Sequence, residues 1–215
     1  MDINSITPDI IVQAFNNCGF KLYDDGSSNI YAIRVTNEIT DKFDDFEGNI
    51  WKEDDGWKGY VFMATTKPGA YQFDNNDFPT VKGVTGSALI ARGQHHGVWE
   101  YVQNGHDGHS ALLQVGDFTI YRITTKQYDL STAPQMTGGG ATDTERWWID
   151  NHPVWNCPND YVYPNISNWS FGCVVGAKPC DFNGIHIPRV MQDIPTFGNK
   201  FTLSMFDLID IPFPS

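Results

Sequence analysis

The sequence lacks an apolar run long enough to cross a membrane, which takes about 18 residues or more. It also has few positive charges, with 14 Lys and Arg against 26 Asp and Glu and a formal net charge of −12. Nucleic acid and acidic membrane surfaces would repel such a chain, so neither is expected as its main partner. The segment from Met1 to Asp9 has no basic region followed by an apolar core, so no secretory signal is predicted there.

Cysteine is also scarce, with four residues at positions 18, 157, 173 and 180. This number is too small for a disulfide scaffold in a chain of 215 residues. There is no C-x-x-C pair, so neither a thiol-redox motif nor a zinc ribbon is indicated. A disulfide between Cys157 and Cys180 is compatible with the sequence, but the spacing alone does not decide it.

The residues that are abundant favour a globular, mostly β protein. Hydrophobic residues make up 40% of the chain and aromatic residues 14%. In residues 1–28 we predict a short helix, capped by Thr7, with Pro8 in its first turn and Gly19 at its end, packed on the domain. Residues 29–215 are predicted to form one β-sandwich or barrel-like domain, because short β-branched and aromatic runs alternate there with turn residues.

Nine strands and several connections are predicted within this domain. Gly116-Asp117 indicates a tight hairpin, Arg189–Asp193 a helical turn, and Pro134–Thr142 a loop that is either a flap or a plain connection. The acidic segments 41–47 and 52–55 do not have the ligand order of a calcium loop and are interpreted as solvated loops. The predicted strands are Asn29–Thr36, Gly59–Thr66, Ser87–Arg92, Val98–Gln103, His109–Val115, Phe118–Thr124, Arg146–Asn151, Ser170–Gly176 and Phe201–Ile209.

One pair of segments has the residue types needed for cysteine chemistry, W-I-D-N-H ending at His152 and S-F-G-C ending at Cys173. A nearby imidazole can take the proton of a thiol, and Gly172 allows backbone and substrate to approach closely. Ser170 can fix the local geometry by hydrogen bonding. The chemistry alone leaves the alternative open that Cys173 is a buried core thiol.

The spacing of these segments resembles the signature of L,D-transpeptidases of the YkuD type, a His, a spacer and then [S/T]-H-G-C. Here 17 residues separate His152 from Ser170. More specifically, residues 29 to 185 resemble a small phage and bacterial group of proteins. The segments that carry this second resemblance are Thr65–Gly69 (T-T-K-P-G), Gly93–Trp99 (G-Q-H-H-G-V-W), Ala111–Gln114 with Tyr121-Arg122, and Asn168–Val174 (N-W-S-F-G-C-V).

The resemblance implies an L,D-transpeptidase-type fold with Cys173 as nucleophile and His152 as general base. Gly172 and the Cys173 N–H would form the oxyanion hole, and Ser170 would match the Ser/Thr of the motif. The family acts on peptidoglycan stem peptides and expels D-Ala without a metal or organic cofactor. The group resemblance further suggests action at the bacterial cell wall in phage lysis, or incorporation in a virion with other virion proteins.

Two alternatives to this enzyme remain open. Phe171 stands where the motif has its second His, which favours a non-catalytic virion, tail or wall-binding protein that keeps the fold. The other is a zinc hydrolase that uses His95, His106 and His109, because His is the commonest transition-metal ligand. In the transpeptidase interpretation, substrate contacts are expected instead from His106, His109 and Trp169.

Overall fold

In a computed structural model, the fold is dominated by an eight-stranded barrel, and a short helix precedes its first strand. The predicted mostly β class is therefore confirmed. The structure describes residues 2–143, 145–154, 161–167 and 169–213. The barrel strands are β1 (Asn29–Arg34), β2 (Asp45–Glu53), β3 (Gly56–Thr65), β7 (Gly93–His106), β8 (His109–Gln114), β11 (Asn151–Pro153), β12 (Val174–Gly176) and β13 (Phe201–Asp207). The other strands are β4 (Thr80–Val81), β5 (Val84–Thr85), β6 (Ser87–Ile90), β9 (Phe118–Ile123) and β10 (Gln135–Gly138).

The barrel closes in the order β1-β13-β7-β8-β11-β12-β3-β2. Its pairs are antiparallel except for β1 with β13 and β11 with β12. A separate sheet has the order β10-β9-β6, and β4 pairs with β5. Phe118 and Ile120 of the three-stranded sheet share a buried cluster with Trp99 and Leu112 of the barrel, so this sheet packs directly against the barrel.

The helices are α1 (Pro8–Cys18), α2 (Tyr71–Asn75), α3 (Pro179–Asp181) and α4 (Ile187–Phe197), with a π-helical turn over Phe182–His186 and short 3₁₀ turns at Ile3–Ser5 and Leu208–Asp210. The Thr7 hydroxyl caps α1, and Gly19 ends it in the left-handed region at φ 66°. Phe15 of α1 packs against Phe206 of β13, with the ring centroids 5.2 Å apart. Strand β1 is therefore buried on both faces, one towards α1 and one towards the barrel core. Within the residues that the structure describes, no helix is both long and apolar enough to cross a membrane.

The prediction of acidic loops was wrong for residues 45–47 and 52–53, which belong to β2. Asp45 and Glu47 are fully buried there, in a strand whose first six residues are all buried. Asp45 accepts hydrogen bonds from the backbone N–H groups of Val35 and Thr66, and it pairs with Lys67 at 3.2 Å. Buried acids with partners thus take core positions that hydropathy alone assigns to solvent.

Three other expectations need correction. Gly116-Asp117 does not join a hairpin, because β8 and β9 belong to different sheets. Of the predicted strand over 146–151 only Asn151 is in β11, since Trp148 adopts a left-handed φ of 55° that interrupts an extended chain. The predicted loop Pro134–Thr142 contains β10. The helical turn expected at Arg189–Asp193 lies within α4.

A polar cluster lies inside the barrel next to the short strand β11. Glu47 accepts a hydrogen bond from the Asn151 side chain, and its Oε1 lies 3.6 Å from Nε2 of His186. The Tyr60 hydroxyl contacts Nδ1 of the same imidazole at 2.9 Å. Burial raises the pKa of Glu47 to about 8 and lowers that of His186 to about 3, so both side chains are uncharged at neutral pH.

We expect Glu47→Gln to change how stability depends on pH. The folded pKa of Glu47 is raised, so folding retains a proton that the unfolded chain releases, and wild-type stability falls between pH 4.5 and about 8. The free energy of unfolding of the variant, relative to that of the wild type, should therefore rise by up to about 1.4 kcal/mol per pH unit in that window. Below the window the difference should change little. Urea unfolding across this window measures the effect. Glu38→Gln, at an exposed position, is the control. Parallel plots of unfolding free energy against pH for the wild type and Glu47→Gln would contradict the expectation.

Candidate functional site

The pairing of β11 with β12 brings the segments of the two residues singled out by the sequence together. In this parallel pair, His152 is level with Val175 and Asn151 with Val174. Paired residues point to the same face, so His152 and Val175 share a face. Cys173 lies in the loop immediately before β12, two residues before Val175.

Both side chains reach a cavity of about 880 Å³. Aromatic rings of Trp147, Trp148 and Phe171 form much of its wall. The sequence-predicted residues that line it are Cys173, His152, His106, His109 and Trp169. A single cavity thus brings together the proposed nucleophile, the proposed base and all three residues expected to contact substrate. Such a concave, largely apolar space is typical of ligand sites.

Cys173 lies at the cavity wall with 8% of its surface exposed. Its Sγ donates a hydrogen bond to the Trp148 carbonyl at 3.2 Å. Burial, followed by the nearby negative charge of Asp150, raises the pKa of the Cys173 thiol to about 12. The thiol is therefore protonated at neutral pH, and a base must take its proton when it attacks.

His152 is in the protonation state that a base requires. Its Nδ1 lies 2.9 Å from the Pro153 carbonyl, which can only accept, so Nδ1 carries the hydrogen and Nε2 has the free lone pair. This Nε2 is buried and has no hydrogen-bond partner within the described ranges. Burial, followed by the neighbouring His106, lowers the pKa of His152 to about 4, so the ring is neutral at neutral pH. Cys173 and His152 are not hydrogen-bonded to each other in the residues described, because each contacts a different backbone carbonyl.

Asp150 is a site residue that the sequence analysis missed. Its carboxylate contacts His106 Nδ1 at 3.0 Å and accepts the Gln114 N–H at 2.8 Å. The His106 ring stacks on the His152 ring with centroids 3.9 Å apart, and the hydrogen bond to Asp150 raises the pKa of His106. The signal was present in W-I-D-N-H, because an acid two residues from the proposed base is close enough in the chain to lie at the same site.

The Asp107-Gly108 turn brings the two histidines of H-D-G-H together at the cavity. His106 and His109 are directly paired across the β7–β8 hairpin, with both turn residues at positive φ, 45° and 83°. Asp-Gly is a preferred sequence for such a two-residue turn. Both histidines were expected to contact substrate, but their pairing across a hairpin was not predicted from the sequence.

Ser170 and Gly172 shape the loop that carries Cys173 and do not line the cavity. The buried Ser170 hydroxyl donates to the Cys173 carbonyl at 2.9 Å and accepts the Gly172 N–H at 3.2 Å. Gly172 has a φ of +130°, and a Cβ there would lie 2.7 Å from Cβ of Ala88. Because the Gly172 N–H is already used, the Cys173 N–H is the better candidate for an oxyanion donor.

The alternative zinc set is not assembled. His95 and His106 lie near opposite ends of β7, and the His95 ring nitrogens contact the Ala91 carbonyl at 2.9 Å and the Thr119 N–H at 3.4 Å. No group of three potential metal ligands occurs among the residues that the structure describes. Among the cysteines, Cys18 and Cys173 are free and Cys180 is disulfide-bonded. Cys157, the other half of the predicted pair, lies outside the described residues.

Comparison of the chain with protein-family models, with curated proteins and with solved structures gave no match. The likeness to L,D-transpeptidases therefore remains a prediction from short motifs. Asn168, the first residue of the motif N-W-S-F-G-C-V, lies outside the described residues. Function is therefore inferred from the geometry around Cys173 and His152.

We expect Gly172→Ala to be more destabilising than Gly56→Ala. The two glycines have nearly the same φ, +130° and +133°, so backbone strain is matched. Only at Gly172 would the added methyl group collide with a neighbour, whereas nothing lies within 4 Å at Gly56. We predict an additional loss of about 1–3 kcal/mol from overpacking at Gly172, measured by urea unfolding. Equal losses in the two variants would show that the Cys173 loop is not held against Ala88.

Proposed function

We propose that this protein is a cysteine-dependent acyl-transfer enzyme that cleaves or transfers peptidoglycan stem peptides. The observation that carries the proposal is that Cys173 and His152, whose Nε2 has no partner among the described residues, both line one ligand-sized cavity. A neutral imidazole with a free nitrogen and a protonated thiol at the same cavity are the two groups that general-base activation of a nucleophile requires.

The chemistry proceeds in two steps. Sγ of Cys173 attacks a peptide carbonyl while His152 Nε2 takes the thiol proton, and the Cys173 N–H stabilises the developing oxyanion. The C–N bond then breaks, His152 gives the proton to the leaving amine, and a thioester remains. Water or a second amine attacks the thioester, loses a proton to His152 and releases the acyl group with the thiol restored. No cofactor is needed for these steps.

The identity of the substrate rests on the resemblance described in the sequence analysis. A peptidoglycan stem peptide, with D-Ala as the leaving group, is the substrate class of the L,D-transpeptidases that the His-spacer-S-F-G-C pattern resembles. The cavity of about 880 Å³ is within the size range of clefts that hold small ligands, so it can take a short peptide end. A role in a phage particle or in phage lysis is part of the same proposal.

The second candidate function is a non-catalytic virion, tail or cell-wall-binding protein. It is favoured by the bond of Cys173 to the Trp148 carbonyl and by the high pKa of the thiol, both of which oppose a ready nucleophile. Phe171, which replaces the motif His, is 48% exposed at the cavity and adds only apolar surface. In this alternative the same cavity binds a ligand without cleaving it.

We expect Cys173→Ser and His152→Ala each to abolish release of D-Ala from muropeptides. Loss of the nucleophile should lower the rate about a thousandfold or more, and loss of the base by about 100-fold to 10,000-fold. Chromatography of muropeptides incubated with each purified protein measures the release. Circular dichroism of each variant should show that the barrel is intact.

Two variants serve as matched controls for this experiment. Cys18→Ser removes the second free thiol found among the described residues, and His96→Ala removes an exposed imidazole. Both should keep the wild-type rate. D-Ala release that survives in Cys173→Ser would rule out the proposed nucleophile. A folded wild-type protein that releases nothing from muropeptides would favour the binding protein instead.

A further inference from the structure

Arg122 is a buried cation without a carboxylate partner at the wall of the cavity. It lies on β9, is only 4% exposed and is one of the lining residues. No Asp or Glu within the described ranges forms a salt bridge with it, although acids outnumber basic residues 26 to 14 in this chain. Burial lowers the pKa of its guanidinium, and no carboxylate opposes that effect. An unpaired buried charge is costly, so the position of Arg122 calls for an anionic partner beyond those that the described residues supply.

Around Arg122, two hydrogen-bond donors have no acceptor among the described residues. Nη1 donates to the Gly86 carbonyl at 3.0 Å, and Nε is buried with no partner among the residues described. The Trp147 ring covers the guanidinium, with Cζ 5.7 Å from the ring centroid, and its Nε1 also has no partner there. Two unused donors beside a positive charge match the two oxygens of a carboxylate.

The location of Arg122 connects it to the proposed nucleophile. Arg122 is paired with Ala88 across β9 and β6, so their side chains share a face of the sheet. Ala88 is the residue against which Gly172 packs. The guanidinium and the Cys173 loop therefore lie on the same side of the three-stranded sheet, and both border the cavity.

We propose that Arg122, together with the Trp147 indole, binds a carboxylate of the ligand and makes the cavity specific for chain ends that carry a free carboxylate. The identification of the ligand as a peptide chain end rests on the proposed function. The outer part of the cavity carries both signs of charge, with Arg146 over the Trp148 ring and with the exposed Asp77 and Asp107. The inner subsite at Arg122 is the one that binds an anion.

The test uses the Cys173→Ala protein, which cannot form a thioester. We would titrate it with N-acetyl-D-alanine and with N-acetyl-D-alanine amide and follow the Trp indole and Arg Nε–H signals by NMR. The acid should bind about tenfold or more tightly than the amide, because only the acid makes a charge-assisted pair. Equal affinities, or no binding of the acid, would overturn the proposal.

Variants in the Cys173→Ala background identify the residue responsible. Arg122→Gln should bring the two affinities together, and Arg122→Lys should keep part of the preference because it keeps the charge. Arg92→Gln removes an exposed guanidinium that pairs with Asp210 at 2.6 Å and should leave the preference unchanged. A preference that survives in folded Arg122→Gln would overturn the assignment. If Arg122→Gln does not fold, the ratio of acid to amide affinity in Arg122→Lys tests the assignment. An unchanged ratio in Arg122→Lys would overturn it.

Failure of this inference can be distinguished from failure of the proposed function. D-Ala release by the unmodified chain depends on Cys173, whereas the affinity ratio is measured without its thiol. A preference for the acid in a protein without turnover supports the carboxylate subsite and contradicts only the enzyme. Turnover without that preference contradicts only the subsite.

Discussion

The parallel pairing of β11 with β12 is the constraint on which the site depends. Only three residue pairs join these strands, but they fix which residues share a face. A shift of one residue would turn His152 away from the cavity and place Asn151 in its position. The register is held from outside the pair, by the contact of Asn151 with Glu47 in the barrel and by the Ser170 hydroxyl at the Cys173 loop.

Burial sets the protonation states throughout this region. Burial keeps His152 neutral, Cys173 protonated and Glu47 uncharged. It also lowers the pKa of Arg122, which has no acidic partner among the described residues. For the first two groups this arrangement suits a proton transfer that occurs only during attack. For Arg122 it leaves a positive charge that a ligand can neutralise. One low-polarity environment can thus suppress the thiol at rest and favour an anionic ligand.

The sequence was informative where a local pattern determines structure. The helix before β1 and most strands followed from caps and alternation. Cys173, His152, His106, His109 and Trp169 were named as site residues from the resemblance, and all five line one cavity. It was uninformative where distant partners decide. Nothing local marks Asp45 and Glu47 as buried, because the groups that satisfy them come from other strands. Nor does the Gly116-Asp117 turn show that β8 and β9 enter different sheets.

The central claim is that Cys173 forms a covalent acyl intermediate with His152 as its base. Intact-protein mass spectrometry after brief incubation with a purified stem tetrapeptide tests it most directly. We predict an added mass equal to the tripeptide acyl group, located on Cys173 by fragmentation and absent from Cys173→Ser. The same adduct should form far more slowly in His152→Ala. An unmodified Cys173 in a protein that binds the peptide would contradict the claim.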